Sequence, residues 1–397
     1  MATAGLTPEA APRLNLPKGV VSCTIAAINT TCDLTVPIDT LCEPSIDDHN
    51  LLNLPTIAFL ITHQPSGRQV LFDLGCRKDF WNLPLPIAET IKAKVPGIRV
   101  DKNLIDVLVE GGSDIANIEA AILSHHHYDH IGHPSTFPKS LDLIVGPGFS
   151  EEFLPGYPTI TTSPFFENDF DRNVRELDFS GGLIIVGFRA IDYFEDGSLY
   201  LLDSPGHAVG HISALVRTTD SIAAIDTFVF LGGDICHFGG SFRATRYLPM
   251  PYMLSPYDVG QSPDKSPTLC CTQFTACHPQ QENARTSPYY KVCSGSDSWY
   301  ENPPLAQQSI EKLKVIDADD RVLVLIAHDL AMLDVISFFP KGTINDWHNL
   351  GWKQKLRWRF LNELPVEGNE RKEVLVNGTY VDGKRVKDLD GKCMQHQ

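Results

Sequence analysis

No stretch of this sequence approaches the run of about 18 apolar residues that a membrane-crossing helix needs, so no membrane partner is expected. Positive charge is in short supply: 33 Lys and Arg face 49 Asp and Glu, a net charge of −16 at pH 7. Nucleic-acid binding draws on a basic face that releases counterions, so nucleic acid is not an expected partner. One basic cluster, Lys353, Lys355, Arg357 and Arg359, is interleaved with Leu356 and Trp358 and reads as an amphipathic helix. Internal repeats and low-complexity tracts are missing too. So is an apolar leader, since residues 1–18 are rich in Ala and Pro. Without a leader, the ten cysteines are expected as reduced thiols in a cytoplasmic protein.

What remains is an ordinary globular composition, 43% apolar and 21% charged, which argues against wholesale disorder. Residues 1–19 are expected to be a flexible N-terminal segment, and 20–397 a single domain. Apolar runs predict strands at 20–27, 56–62 and 69–73, the last two joined by the turn Gln64-Pro65-Ser66-Gly67. Further strands are expected at 118–124, 141–145, 183–191, 199–202, 213–217, 227–231 and 321–327, with helices near 87–94, 103–111 and 305–313. Residues 239–300 are rich in Pro, Ser, Tyr and Cys with little periodicity, and read as a long functional insertion. The extension 340–397 carries Trp347, Trp352 and Trp358 as packing residues and then a charged, loosely ordered end. Strands and helices mixed in this order suggest sheets packed face to face with helices outside, and polar clusters that follow strands gather at one sheet edge.

The densest chemistry is His125-His126-His127-Tyr128-Asp129-His130. Imidazole and carboxylate are the side chains that hold zinc and similar ions. On an extended segment His125 and His127 point the same way, and His126 points away, as a packing or supporting residue. Asp129 and His130 turn aside together as the chain begins a helix, so one loop can serve two neighbouring ions. His133 is not expected to be a ligand. Later, Pro205-Gly206-His207 forms a tight turn with Gly210-His211, Gly232-Gly233-Asp234 follows a strand, and Ala327-His328 ends one.

His-x-His-x-Asp-His, then Pro205-Gly206-His207, Gly233-Asp234 and Ala327-His328, in that order between about residues 20 and 330, resemble the metallo-β-lactamase superfamily. The hairpin before Asp73 is most similar to its lactonase-like and fungal γ-lactamase-like members. The resemblance implies an α+β fold, the αββα sandwich, here with a long loop-rich insertion. By position it implies that His125, His127 and His207 hold one metal, that Asp129, His130 and His328 hold the other, and that Asp234 bridges them. Two zinc ions per chain are the implied cofactor. Asp73 and His211 are expected to support these ligands from behind. A hydroxide held between the ions attacks a polarised carbonyl, and Asp129 orients it or moves its proton.

The implied substrate is a small molecule: a cyclic ester, a lactam or a cyclic carbamate such as a benzoxazolinone. Lactonases of this group carry Asp-x-x-Tyr, with the tyrosine polarising the carbonyl. Here the pattern is Asp234-Ile235-Cys236-His237, so His237 takes that place as a hydrogen-bond donor or proton shuttle. Aromatic residues of the insertion, Phe242, Tyr247, Tyr252, Tyr257, Phe274, Tyr289, Tyr290, Trp299 and Tyr300, either wall the substrate or serve surface packing and homodimer contacts. Cys270, Cys271, Cys277 and His278 invite a structural-zinc reading, although their spacing fits no closed tetrahedral pattern well. The alternatives are a metal-dependent thioesterase acting on an acyl thioester, and a metal-binding interaction module without catalysis.

Overall fold

The computed structural model describes residues 6–220, 225–261, 268–366 and 373–394. Two sheets form the framework. The first has nine strands, and its centre is a long antiparallel pair, β1 (Cys23–Pro37) and β2 (Leu51–His63). The Gln64–Gly67 turn returns β2 into β3 (Gln69–Phe72), with Thr62 opposite Gln69, as its turn residues predict. On the far side of β1 lies β4 (Gly97–Val100). Beyond β3 the sheet is parallel, through β5 (Ile118–Ile122), β6 (Asp142–Val145) and β7 (Val174–Glu176).

The second sheet runs from β8 (Ile184–Ile185) through β9 (Phe188–Asp192), β10 (Leu199–Asp203), β11 (Ile212–Arg217) and β12 (Phe228–Leu231) to β13 (Val322–Leu325). β12 and β13 are parallel, with Leu231 beside Leu325. The single strand expected at 183–191 is instead the β8–β9 hairpin, because Gly187 turns the chain with φ +84°.

Side chains alternate across both sheets, and the alternation makes the layers. Ile122, Leu201, Val229 and Leu231 face inward to the core between the sheets. Ala121 and Leu123 face outward, onto a layer that includes Leu104 and Leu108 of helix Leu104–Glu110. Leu202, Phe228 and Phe230 face outward on the other side, onto Ile310, Leu313 and Ile316 of helix Pro303–Ala318. This is the α+β, αββα arrangement.

Three regions differ from expectation. Residues 6–19 form no regular element, yet Leu14 is buried, Glu9 N donates to Arg246 O, and the buried Arg217 guanidinium donates to Pro17 O. Within the described part of the tail, β14 (Gly378–Val381) and β15 (Lys384–Asp388) form a hairpin rather than a loose segment, and β14 adds to β4 at the sheet edge. Four aromatic residues of the insertion, Phe242, Phe274, Tyr289 and Tyr290, are buried in a core rather than lining a cleft, whereas Tyr257 is exposed.

A buried ion pair locks three late segments together. Arg243, in the insertion, donates from Nε and Nη2 to the Asp317 carboxylate at 2.8 and 2.7 Å, at the end of helix Pro303–Ala318. Lys353, in helix Trp352–Arg357, donates to the carbonyls of Asp317 and Asp319 at 2.8 and 3.0 Å. The amphipathic helix expected there forms, but this lysine is buried. Burial alone would raise the Asp317 carboxyl; Arg243 and Lys353 outweigh it and hold the group below the usual carboxylate range. Its stabilisation is therefore complete above the ordinary carboxylate value and is lost as pH falls below that value toward the depressed one. Arg243→Ala leaves Asp317 buried and uncompensated, and should cost about 3–5 kcal/mol in urea unfolding at neutral pH. The apolar pair Arg243→Met with Asp317→Leu should cost clearly less, since no charge is orphaned.

Candidate metal centre

The sheet order brings the polar cluster to one edge. Parallel β3 and β5 end side by side, Phe72 opposite Ile122, and release Asp73 and Ser124–His125. Parallel β12 and β13 do the same in the second sheet, releasing Asp234 and His328. His207 and His211 lie on the turn between β10 and β11. Gly233 has φ +53°, and a Cβ there would stand 2.9 Å from the Ser124 side chain, so only glycine lets the two strand ends meet this closely.

Two groups of donor atoms result. One comprises His125, His127, His207 and Asp234, and the other Asp129, His130 and His328, with ligand atoms in each within 4.8 Å of one another; a third set, Asp234, His237 and His328, overlaps both and meets the same limit. His207 Nε2 stands 3.2 Å from His125 Nε2 and 2.9 Å from His127 Nδ1. His130 Nε2 and His328 Nε2 are 3.3 Å apart. Asp234 touches both groups: Oδ2 is 3.6 Å from His125 and 3.4 Å from His207, and Oδ1 is 3.2 Å from both His130 and His328. Asp129 Oδ2 lies 3.7 Å from His130 and 3.5 Å from His328.

The atoms behind the cluster set the tautomers. His130 Nδ1 lies 2.8 Å from Asp73 Oδ2, and His328 Nδ1 lies 3.0 Å from the Pro55 carbonyl. Both partners can only accept, so each Nδ1 carries the proton and each Nε2 turns its lone pair into the site. Ser124 donates from N and Oγ to Asp73, at 2.7 and 2.9 Å, and its Oγ lies 3.0 Å from His125 Nδ1. Asp73 is thus fully engaged, and it sits in the left-handed region at φ +64°. His211 receives the Asp234 N–H at 3.0 Å on Nε2 and meets the Ser204 carbonyl at 2.8 Å through Nδ1, so it supports Asp234 and has no free nitrogen.

Burial and neighbouring imidazoles push His125, His127 and His207 well below the ordinary histidine value. Burial would lower His130 and His328 as well, but Asp234 and Asp129 outweigh it and raise both. Asp234 is held well below the carboxylate range, against its burial, chiefly by His130 and His328. Several buried lone pairs face one another across about 3 Å, and Asp234 Oδ1 is buried without a hydrogen-bond donor. A divalent cation resolves both problems, so the donor set fits a metal centre.

His126, His133 and His278 lie outside these groups. His126 turns out of the site, with its ring 4.4 Å from Phe153 and Nε2 3.6 Å from Glu301. His133 is half-buried and belongs to no donor group. The helix expected after Asp129 is one turn only, closed by His130 N to His127 O at 3.0 Å. His278 engages the Ser287 carbonyl and the Gln280 N–H, and no metal-ligating group among the described residues includes it or the nearby cysteines. His237 Nε2 is 3.0 Å from Asp234 Oδ2, and its Nδ1 is 2.9 Å from the Tyr300 hydroxyl. Sequence reasoning missed Ser124, the Pro55 carbonyl and Tyr300. Ser124 could have been read from its place beside His125; a backbone carbonyl leaves no such signal.

Above the cluster opens a small pocket of about 30 Å³. Leu34, Val36, Leu41 and Leu54 form an apolar wall, and Trp299 of the insertion also lines it. Fold and site together define a hydrolase of the metallo-β-lactamase type.

Comparison with known proteins narrows the class. The chain is 38% identical to γ-lactamase FDB1 of Fusarium pseudograminearum, over 92% of this chain and 89% of that protein. It is also 38% identical to metallo-hydrolase mfmC of Annulohypoxylon moriforme, over 92% of this chain and 93% of its relative. The chain belongs to this family of fungal γ-lactamases and metallo-hydrolases. No family profile matches it. Among solved structures, AiiA of B. thuringiensis, with N-decanoyl-L-homoserine bound, superposes with a TM-score of 0.50 at 16% identity, covering 82% of this chain and 99% of the other. At that identity the likeness shows the fold alone.

Asp73→Asn should weaken metal binding by about 10- to 100-fold in competition with a chromophoric chelator, since it unseats the His130 tautomer. His126→Ala should leave metal content unchanged, whereas His125→Ala should lower it.

Proposed function

We propose that this chain is a dinuclear zinc hydrolase that opens a small cyclic ester, lactam or cyclic carbamate, with benzoxazolinones among the candidates. The observation that carries the reading is Asp234, whose two oxygens face two separate sets of imidazoles. His125, His127 and His207 would hold one ion, Asp129, His130 and His328 the other, with Asp234 between them. When bound, such ions supply an activated water at neutral pH and polarise a carbonyl. Imidazole and carboxylate without thiolate suit zinc, and iron or manganese less specifically.

The residues of the chain do the rest. Leu34, Val36, Leu41 and Leu54 pack the ring of the substrate and exclude water, and Trp299 closes the opposite side. Asp129 lines the pocket beside the second donor group, and there it accepts the proton of the attacking water. His237, three residues after Asp234, lines the pocket and would donate a hydrogen bond to the oxygen on which charge develops. The γ-lactamase and lactonase relatives support ring opening and lend nothing to the thioesterase alternative.

Dialysis against a strong chelator should abolish turnover on a panel of lactones, lactams and benzoxazolinones. Two equivalents of zinc per chain should restore it. Full activity in metal-free protein, or thioesters hydrolysed in preference to every ring, would overturn the proposal.

A further inference from the structure

At the edge of the sandwich opposite the metal centre, two hairpin turns meet, one from each sheet. The Gln64–Gly67 turn joins β2 to β3, and residues 193–198 join β9 to β10. His63 ends β2, eight residues beyond Pro55, whose carbonyl meets His328. At about 3.3 Å per residue the turns therefore lie about 25 Å from the donor cluster. A serine, a histidine and an aspartate come together there. His63 Nδ1 lies 2.7 Å from Ser66 Oγ, and its Nε2 lies 2.7 Å from Asp196 Oδ2.

The proton pattern follows from the partners. A carboxylate only accepts, so Nε2 of the neutral ring carries the proton and Nδ1 presents a lone pair. Ser66 must then donate to it, while its Oγ accepts the Arg68 N–H at 3.3 Å. The ring nitrogens exchange the places they hold in the familiar serine–histidine–aspartate triads, yet each partner keeps its role. Burial would raise the Asp196 carboxyl; Ser198 and His63 outweigh it and hold the group below the usual carboxylate range. The His63 ring stacks on Phe194 with centroids 4.4 Å apart, and Arg68, paired with Glu119, lies over the same phenyl ring. The turn does not need the serine contact, since Gly67 N to His63 O at 2.9 Å already closes it. His63 is buried, whereas Ser66 is exposed.

We propose that Ser66 is a second, metal-independent nucleophile of this protein, which takes an acyl group from a small activated ester with His63 as its base. Oγ forms a bond to the acyl carbon, and the bond from that carbon to the leaving oxygen breaks. The serine proton passes through His63 Nδ1 to the leaving oxygen, so the products are an O-acyl serine and a free alcohol or phenol. Exposure sets the class of donor. In water the developing oxyanion gains little from fixed dipoles, so the ester needs a good leaving group such as a phenoxide, and amides are excluded. Asp196 is a positioning residue that holds the tautomer of His63.

The experiment incubates the zinc-loaded protein with p-nitrophenyl acetate, quenches it in acid and follows the peptide containing Ser66 by mass spectrometry. Ser66 should be acetylated, at the same rate before and after chelation of the metal. His63→Ala should slow acetylation about 100-fold, the usual contribution of a general base, and free imidazole should restore most of it. Asp196→Asn should slow it too, and Asp196→Glu should recover most of the loss, which a mere lesion in the turn would not allow. An unacetylated Ser66 in wild type would overturn the proposal. So would a wild-type rate in His63→Ala or Asp196→Asn, no response of His63→Ala to imidazole, or a rate that falls on chelation. The readout is a bond at Ser66, so it stands or falls apart from ring opening at the metal centre.

Discussion

A carboxylate buried among histidines is costly unless positive charge meets it, and Asp234 is such a group. Its oxygens face His125 and His207 on one side and His130 and His328 on the other, and Oδ1 has no donor of its own. Those histidines come from both sheets and from the loops that leave them. Gathering these groups at one edge is costly unless their charge is met, and a cation between the lone pairs would meet it without any further side chain.

The architecture follows from the need to aim those atoms. Two parallel strand pairs, one in each sheet, end at the same level and release their ligand-type residues toward each other. Asp73, Ser124, His211 and the Pro55 carbonyl then hold the rings by their outer atoms. An imidazole whose outer nitrogen is tied can present only one face inward, so the tautomers are set by the scaffold before any ion arrives.

The insertion and the C-terminal extension turn this general edge into a particular site. Arg243, Asp317 and Lys353 tie the insertion, the last long helix and the extension into one buried polar network. Residues 301 and 302 bond to the His207 loop, beside Trp299 in the pocket lining and Tyr300 at His237. Four of the insertion's aromatic residues, Phe242, Phe274, Tyr289 and Tyr290, lie in the core, away from the pocket.

The sequence by itself determined the layered α+β plan and the donor residues that the fold gathers, because both leave local marks. Strand alternation shows in Phe228–Leu231 and Leu199–Asp203, turn chemistry shows in Gln64–Gly67, and ligand-type side chains crowd at 125–130. Tertiary structure alone decided which nitrogen each histidine presents, since that depends on partners such as Pro55, 273 positions from His328 in the chain. It also decided that Lys353 would be buried and that the charged tail would pair as an edge hairpin. In each of these cases distant groups outweigh local preference, so periodicity leaves no trace of the result. Tyr300 is the plainest case: an aromatic residue in an aperiodic stretch, brought by the fold to a hydrogen bond with a histidine 63 positions earlier.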